Sequence, residues 1–206
     1  MIAHFFIAFG LSFVGSLPFG MINMMVAHTA IEKGLRYALW AAAGAALVEF
    51  FQVFIAIKFT WLFTENPATD FWFKLVATVV FFAAGTYFFF FAKMRRKVPE
   101  EQQVNSRRSE FFKGALVSSL NLMVIPFWIF YGTLLAANGL LVKDNQHVLA
   151  FSCGTVFGTF TLLLLYALLG DRILSRSAQI TMWVNKFIGL ALYGFGVYQL
   201  VKLMYL

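Results

Sequence analysis

The chain has 206 residues, of which 61% are hydrophobic and 12% charged, with a net charge of +7 and a mean hydropathy of +0.80. Soluble domains carry about 25% charged residues, so this composition excludes a soluble domain and describes an integral membrane protein. The basic excess reads as loop charge on the cytoplasmic side of a membrane, not as a nucleic-acid footprint. The single cysteine, Cys153, excludes an internal disulfide and any multi-cysteine metal site. No Lys or Arg precedes the first apolar run. The positive region of a signal peptide is therefore missing, and the run is expected to be kept as the first span.

Six apolar segments follow in order, at about 2–26, 37–61, 71–92, 111–137, 147–169 and 182–204. Each is near the roughly 20 residues that a helix needs to cross a bilayer. Alternating strands of about 10 residues, as in a membrane barrel, are not seen. The fold class expected is therefore an all-α membrane protein of six transmembrane helices. The first segment contains Ser16-Leu17-Pro18-Phe19-Gly20-Met21-Ile22-Asn23. Pro18 cannot donate a backbone hydrogen bond, and Gly20 tolerates unusual backbone angles, so one turn is expected to unwind here. In lipid each freed polar group must be met by protein or a water-filled cavity. Asn23 lies just beyond, within reach of the freed backbone or of a ligand.

In the second segment Ala42, Ala45, Glu49, Gln52 and Ala56 recur at three- and four-residue steps. They make one small-residue stripe that lets another helix come close. Glu49 is the acidic residue well inside an apolar span. A charge at mid-bilayer costs about 3 kcal/mol and faces the bundle interior or a polar pathway. Proton coupling, cation binding and a purely structural protonated carboxyl all fit it. Gln52, one turn on, is a candidate polar co-ligand.

The polar stretch from Lys93 to Lys113 divides the chain. If it is cytoplasmic, 12 of the 16 basic residues lie inside and only Lys58, Lys74, Lys143 and Lys202 outside. Both termini are then outside. The fourth segment holds Ser119-Leu120-Asn121-Leu122-Met123-Val124-Ile125-Pro126, an echo of the first motif 103 residues later. Asn121 and Pro126 mark a second break. Gly85-Thr86-Tyr87 and Gly196-Val197-Tyr198 echo each other at a step of 111. Three spans per half is an odd number, so the halves run oppositely through the membrane. Inverted repeats of this kind build transporters, with the substrate site where broken helices meet. Repeat one covers about 1–92, a linker about 93–110 and repeat two about 111–206, as one transmembrane domain. The sequence has no P-loop, HExxH or GxSxG motif, and no cofactor or enzymatic activity is expected.

The series Gly15 through Asn23, Glu32-Lys33-Gly34-Leu35-Arg36 and Gly44 through Glu49 resembles the lysine-exporter (LysE-type) translocator family. So do Ala84-Gly85-Thr86-Tyr87 in the third span and Ser119-Leu120-Asn121 with Pro126-Phe127-Trp128 in the fourth. The resemblance covers almost the whole chain. It implies a bacterial inner-membrane exporter of amino acids or related metabolites, usually driven by proton antiport. Pro18, Gly20 and Asn23 would form the first break, Glu49 the acidic position of span two, and Asn121 the second break. Pro18-Phe19-Gly20 replaces the family's Pro-Gly-Pro, which suggests a diverged subgroup and leaves the substrate open. The substrate-binding set expected is Pro18, Gly20, Asn23, Glu49, Gln52, Asn121 and Pro126, with Glu49 exchanging the proton. Partners would be the small-molecule substrate and membrane lipids, with no nucleic acid. The small-residue stripes permit a homodimer without requiring one. A divalent metal-ion exporter and a non-transporting membrane scaffold are the competing readings.

Overall fold

A computed structural model of the chain describes residues 1–17, 20–64, 67–91, 106–121, 124–142 and 144–170, with residues 183, 186, 187, 189, 190, 192–201 and 204 of the last segment. Every regular element among these is helical. The helices are α1 (Ile2–Gly15), α2 (Met21–Lys33), α3 (Leu35–Thr64), α4 (Pro67–Thr86), α5 (Arg107–Ser119), α6 (Val124–Ala137) and α7 (Asn145–Leu168). A π-helical turn, Tyr87–Phe91, extends α4.

Leu35–Trp61 of α3 and Asn145–Leu168 of α7 are each long and apolar enough to cross a membrane. The α5–α6 pair, bent by 64°, adds a third span if it crosses as one. The first expected segment is two helices, α1 and α2, as the Pro-Gly motif predicts. Gly34, at φ +91°, separates α2 from α3 in the backbone region that favours glycine. Helix α5 starts at Arg107, close to the end of the expected linker. Its first turn is polar because it is anchored by charge rather than by apolar packing, as described below. Large apolar side chains such as Phe6, Phe112 and Leu116 are exposed, which in lipid carries no cost.

Two seams hold the bundle, and they match. In the first, α1 lies on α7. A Cβ added at Gly154 would sit 2.1 Å from the Phe5 carbonyl oxygen, and one at Gly158 would sit 2.4 Å from that of Phe9. In the second, α5 lies on α3. A Cβ at Gly44 would sit 2.0 Å from the Phe111 oxygen, and one at Gly114 would sit 1.9 Å from that of Ala41. Only glycine allows backbones this close, and close approach is what associates helices where the surrounding solvent is itself apolar. A serine crosses each seam. Ser12 Oγ donates to the Thr155 carbonyl at 3.0 Å, and Ser118 Oγ donates to the Ala45 carbonyl at 3.1 Å.

One glycine contact and the serine bond of each seam correspond residue for residue. Phe5 to Phe111 and Ser12 to Ser118 are both steps of 106, while Gly44 to Gly154 and Ala45 to Thr155 are both steps of 110. A third pairing is reciprocal. The Cβ position of Gly85 lies 3.4 Å from the Tyr193 ring and that of Gly196 lies 3.1 Å from the Phe82 ring; here both steps are 111. The break motifs echo at 103 because the helices meet the breaks at different points, so that echo does not give the packing register.

The apolar core lies in two clusters. One joins Ala8, Val53, Ile57, Trp128 and Phe151 from α1, α3, α6 and α7. The other joins Val26, Ala42, Ala45 and Leu163 from α2, α3 and α7. The predicted small-residue stripe of α3 is buried at Ala42, Ala45, Glu49 and Ala56.

Candidate functional site

The first break closes on the protein itself. Helix α1 stops at Gly15 and α2 resumes at Met21 with Gly20 as its N-cap. Asn23, buried, donates through Nδ2 to the Ser16 carbonyl at 2.7 Å. Tyr166 Oη, from α7, donates to the Leu17 carbonyl at 2.8 Å and is also bonded to Asn23. Two carbonyls released by the break thus have side-chain partners, as an apolar surrounding demands. Of the two roles read for Asn23, the backbone role is the one seen. Gly20 is exposed, and no side chain caps α2 there. Pro18 lies outside the described residues.

The second break is built differently. The Asn121 N–H donates to the Ser118 carbonyl at 3.0 Å, and its own carbonyl accepts from the Val124 N–H at 3.3 Å. Its side chain is exposed. Pro126 lies just beyond the break, in the place that Asn23 holds in the first half. It is the third residue of α6, within the first turn, where its missing N–H leaves no intrahelical bond unmade.

Glu49 sits between the two core clusters and is 9% exposed. Thr159 Oγ1, from α7, donates to Glu49 Oε2 at 2.6 Å. The Trp128 indole N–H, from α6, bonds the same carboxyl. Thr159 Oγ1 also lies 2.6 Å from Ser12 Oγ, so α1, α3, α6 and α7 converge on one acid. No cation pairs with Glu49 among the described residues. Glu49 and Thr159 are themselves 110 residues apart, so they occupy corresponding places on α3 and α7 and touch each other. Gln52 faces the other seam. Its Nε2 donates to the Ser118 carbonyl at 3.3 Å, and its Oε1 is buried without a hydrogen-bond donor. Such an acceptor costs about 1–3 kcal/mol while unmet.

The sequence reading missed Ser12, Trp128, Thr159 and Tyr166. Each is an ordinary residue of an apolar run whose importance comes from a partner far away in the chain. It also missed Glu110, which heads α5 and is 2% exposed. Lys33 Nζ, at the end of α2, lies 2.7 Å from Glu110 Oε1, and Lys113 Nζ lies 3.8 Å away. At the opposite end of the bundle the His4 and His147 rings lie 4.6 Å apart, and His147 Nδ1 is 3.0 Å from Asp144 Oδ2. This hydrogen bond holds the exposed Asp144 carboxyl below its ordinary value. Among the described residues no group of three or more His, Cys, Asp or Glu could hold a metal ion.

An apolar helical body that folds interrupted helices around the buried, cation-free carboxyl of Glu49 has the build of a membrane carrier. The LysE type translocator family model matches residues 3–203, nearly the whole chain, and the chain belongs to that family. Membership implies a membrane transporter of amino acids or similar small molecules. No curated protein and no solved structure matches the chain.

Proposed function

We propose that the protein is a secondary exporter of amino acids or related metabolites that runs by proton antiport across a bacterial inner membrane. Its body would be two inverted repeats of three spans, six spans in all, with both termini outside. The matched seams and the steps of 106, 110 and 111 support that layout. Related helices of the two halves meet related partners through the same atoms.

The observation that carries the mechanism is Glu49. A carboxyl in an apolar interior, held by a hydroxyl and an indole and by no cation, is suited to bind and release a proton. Charging it there without a counter-ion is costly. Substrate would bind between α3 and the breaks. Its ammonium would be taken by Gln52 Oε1 and by Glu49 when that group is ionised. Its carboxylate would meet the uncapped N-terminus of α2 at Gly20, where free N–H groups and the helix dipole favour an anion. Proton and ammonium would then compete for Glu49, which is the requirement for exchange.

The test is efflux from cells loaded with mixed dipeptides, comparing empty cells, wild type and Glu49→Gln with every amino acid quantified in the medium. Selective release by wild type that disappears in Glu49→Gln is expected. Equal efflux by both proteins at every imposed pH gradient would refute the role of Glu49.

A further inference from the structure

Three oxygen–oxygen contacts run in line from Glu49 to the backbone of α7. They are Glu49 Oε2 to Thr159 Oγ1 at 2.6 Å, Thr159 Oγ1 to Ser12 Oγ at 2.6 Å, and Ser12 Oγ to the Thr155 carbonyl at 3.0 Å. Each contact needs one hydrogen between its oxygens. The two hydroxyls supply two hydrogens, and the carbonyl supplies none. The third can come only from Glu49. With the carboxyl protonated, Glu49 donates to Thr159, Thr159 to Ser12 and Ser12 to Thr155, and every contact is filled. With the carboxylate, Thr159 turns to donate to Glu49. The single Ser12 hydrogen must then choose between Thr159 and the Thr155 carbonyl, and one close oxygen pair has no hydrogen at all.

We infer that Thr159 and Ser12 are positioning residues that report the proton on Glu49 to the α1–α7 seam, so that the seam is fully bonded only while Glu49 carries its proton. This rests on the reading of Glu49 as the proton site. It adds the route by which that proton reaches helix packing. Ser12 belongs to α1, the half-helix that leads into the first break. Gly154 and Gly158 hold α1 against α7 with no side chain between the backbones. Losing the proton therefore loosens the half-helix that borders the proposed substrate site, and gaining it draws that helix back. Of the other titratable groups on the surrounding helices, His4 and His147 lie at the outer end of this seam, and Lys33 and Glu110 pair at the inner end. Tyr131 and Tyr166 belong to α6 and α7. None of these is bonded to Glu49.

The experiment uses the full chain in liposomes. Cys153, exposed on α7, and a cysteine placed at exposed Phe6 on α1 carry spin labels, and their spin–spin broadening is followed from acid to alkaline pH. The scan is repeated in a His4→Gln/His147→Gln background, which leaves neither imidazole of that end of the seam. Broadening is expected to fall as pH rises in wild type and in Thr159→Ser, which keeps the hydroxyl. It should stay constant in Thr159→Val and Ser12→Ala, which cut the chain. It should also stay constant in Glu49→Gln, whose amide supplies the third hydrogen at every pH. A flat wild-type profile, or a Thr159→Val profile that follows wild type, overturns the inference. Efflux driven by a pH gradient is measured on the same variants. If Glu49→Gln keeps that dependence, the proton-site reading fails. If it loses the dependence while the seam stays flat in wild type, only the relay fails.

Discussion

Replacing Gly114 with alanine tests the α3–α5 seam directly. The new methyl would lie 1.9 Å from the Ala41 carbonyl oxygen, where real contacts of this kind stay beyond 3.0 Å. The obstacle is helix backbone, so it cannot swing aside as a long side chain would. The helices must part by about 1.1 Å locally, the difference between those two distances. Overpacking of this sort costs about 1–3 kcal/mol. The same displacement stretches the Ser118-to-Ala45 hydrogen bond from 3.1 Å past its useful range, a loss of about 0.6–1.7 kcal/mol between helices in a membrane. The sum is about 2–5 kcal/mol. For a chain of this size each kcal/mol moves the melting temperature by about 2–4 °C, so Gly114→Ala should lower Tm by on the order of 4–20 °C. Gly10→Ala is the control, since nothing lies within 4 Å of its Cβ position. It should be neutral or raise Tm slightly, because alanine is the better helix former by about 1 kcal/mol. Thermal unfolding of the purified protein in detergent, followed by loss of the monodisperse peak, measures both. Equal Tm values for Gly114→Ala and wild type would refute the close-packed seam.

Three other predictions rest on separate contacts. Asn23→Ala and Tyr166→Phe each leave a carbonyl of the first break without its side-chain donor. Each should destabilise by about 1–3 kcal/mol, read as lost Tm. A variant as stable as wild type would mean that the break is hydrated. Lys33→Met removes the closest cation from buried Glu110 and should cost about 3–5 kcal/mol, much of it regained in the Lys33→Met/Glu110→Met double variant. An additive double variant would speak against the pair. Asp144 is held below its ordinary value of 3.8, chiefly by its hydrogen bond to His147. A depressed folded value contributes stability that is present above the unfolded value and lost as pH falls through the folded one. The stability difference between wild type and Asp144→Asn should therefore exist at neutral pH and close at acid pH. A difference that persists in acid would contradict the assignment.

Much of the architecture is legible in the sequence because bilayer physics leaves few options. Twenty apolar residues read as helix whatever they pack against. A Pro with a Gly two residues on reads as a break, and α1 does end at Gly15. The α3 stripe and the burial of Glu49 follow from periodicity. What periodicity cannot supply is the partner. Thr159 is one threonine among several on α7, and only the register of α7 on α3 brings it to Glu49. The echo at 103 suggested a register that the helices do not use. Asn23 was read as equally fit for backbone or ligand, and sequence cannot choose, because the choice depends on where the Ser16 carbonyl points. Glu110 sat in a polar stretch and read as loop. Its burial depends on Lys33, a residue of another helix that no local pattern connects to it.

The interior carboxyl of Glu49, which has no cation partner among the described residues, also has an electrical consequence. On the proposed mechanism one acid per chain carries one proton per turnover. Exchange of that proton for a zwitterion carries one net positive charge inward, so membrane voltage as well as the pH difference would drive export. Exchange for a substrate with one net positive charge cancels electrically, and voltage would drop out. The current recorded from proteoliposomes during export would therefore report the charge of the cargo before its chemical identity is known.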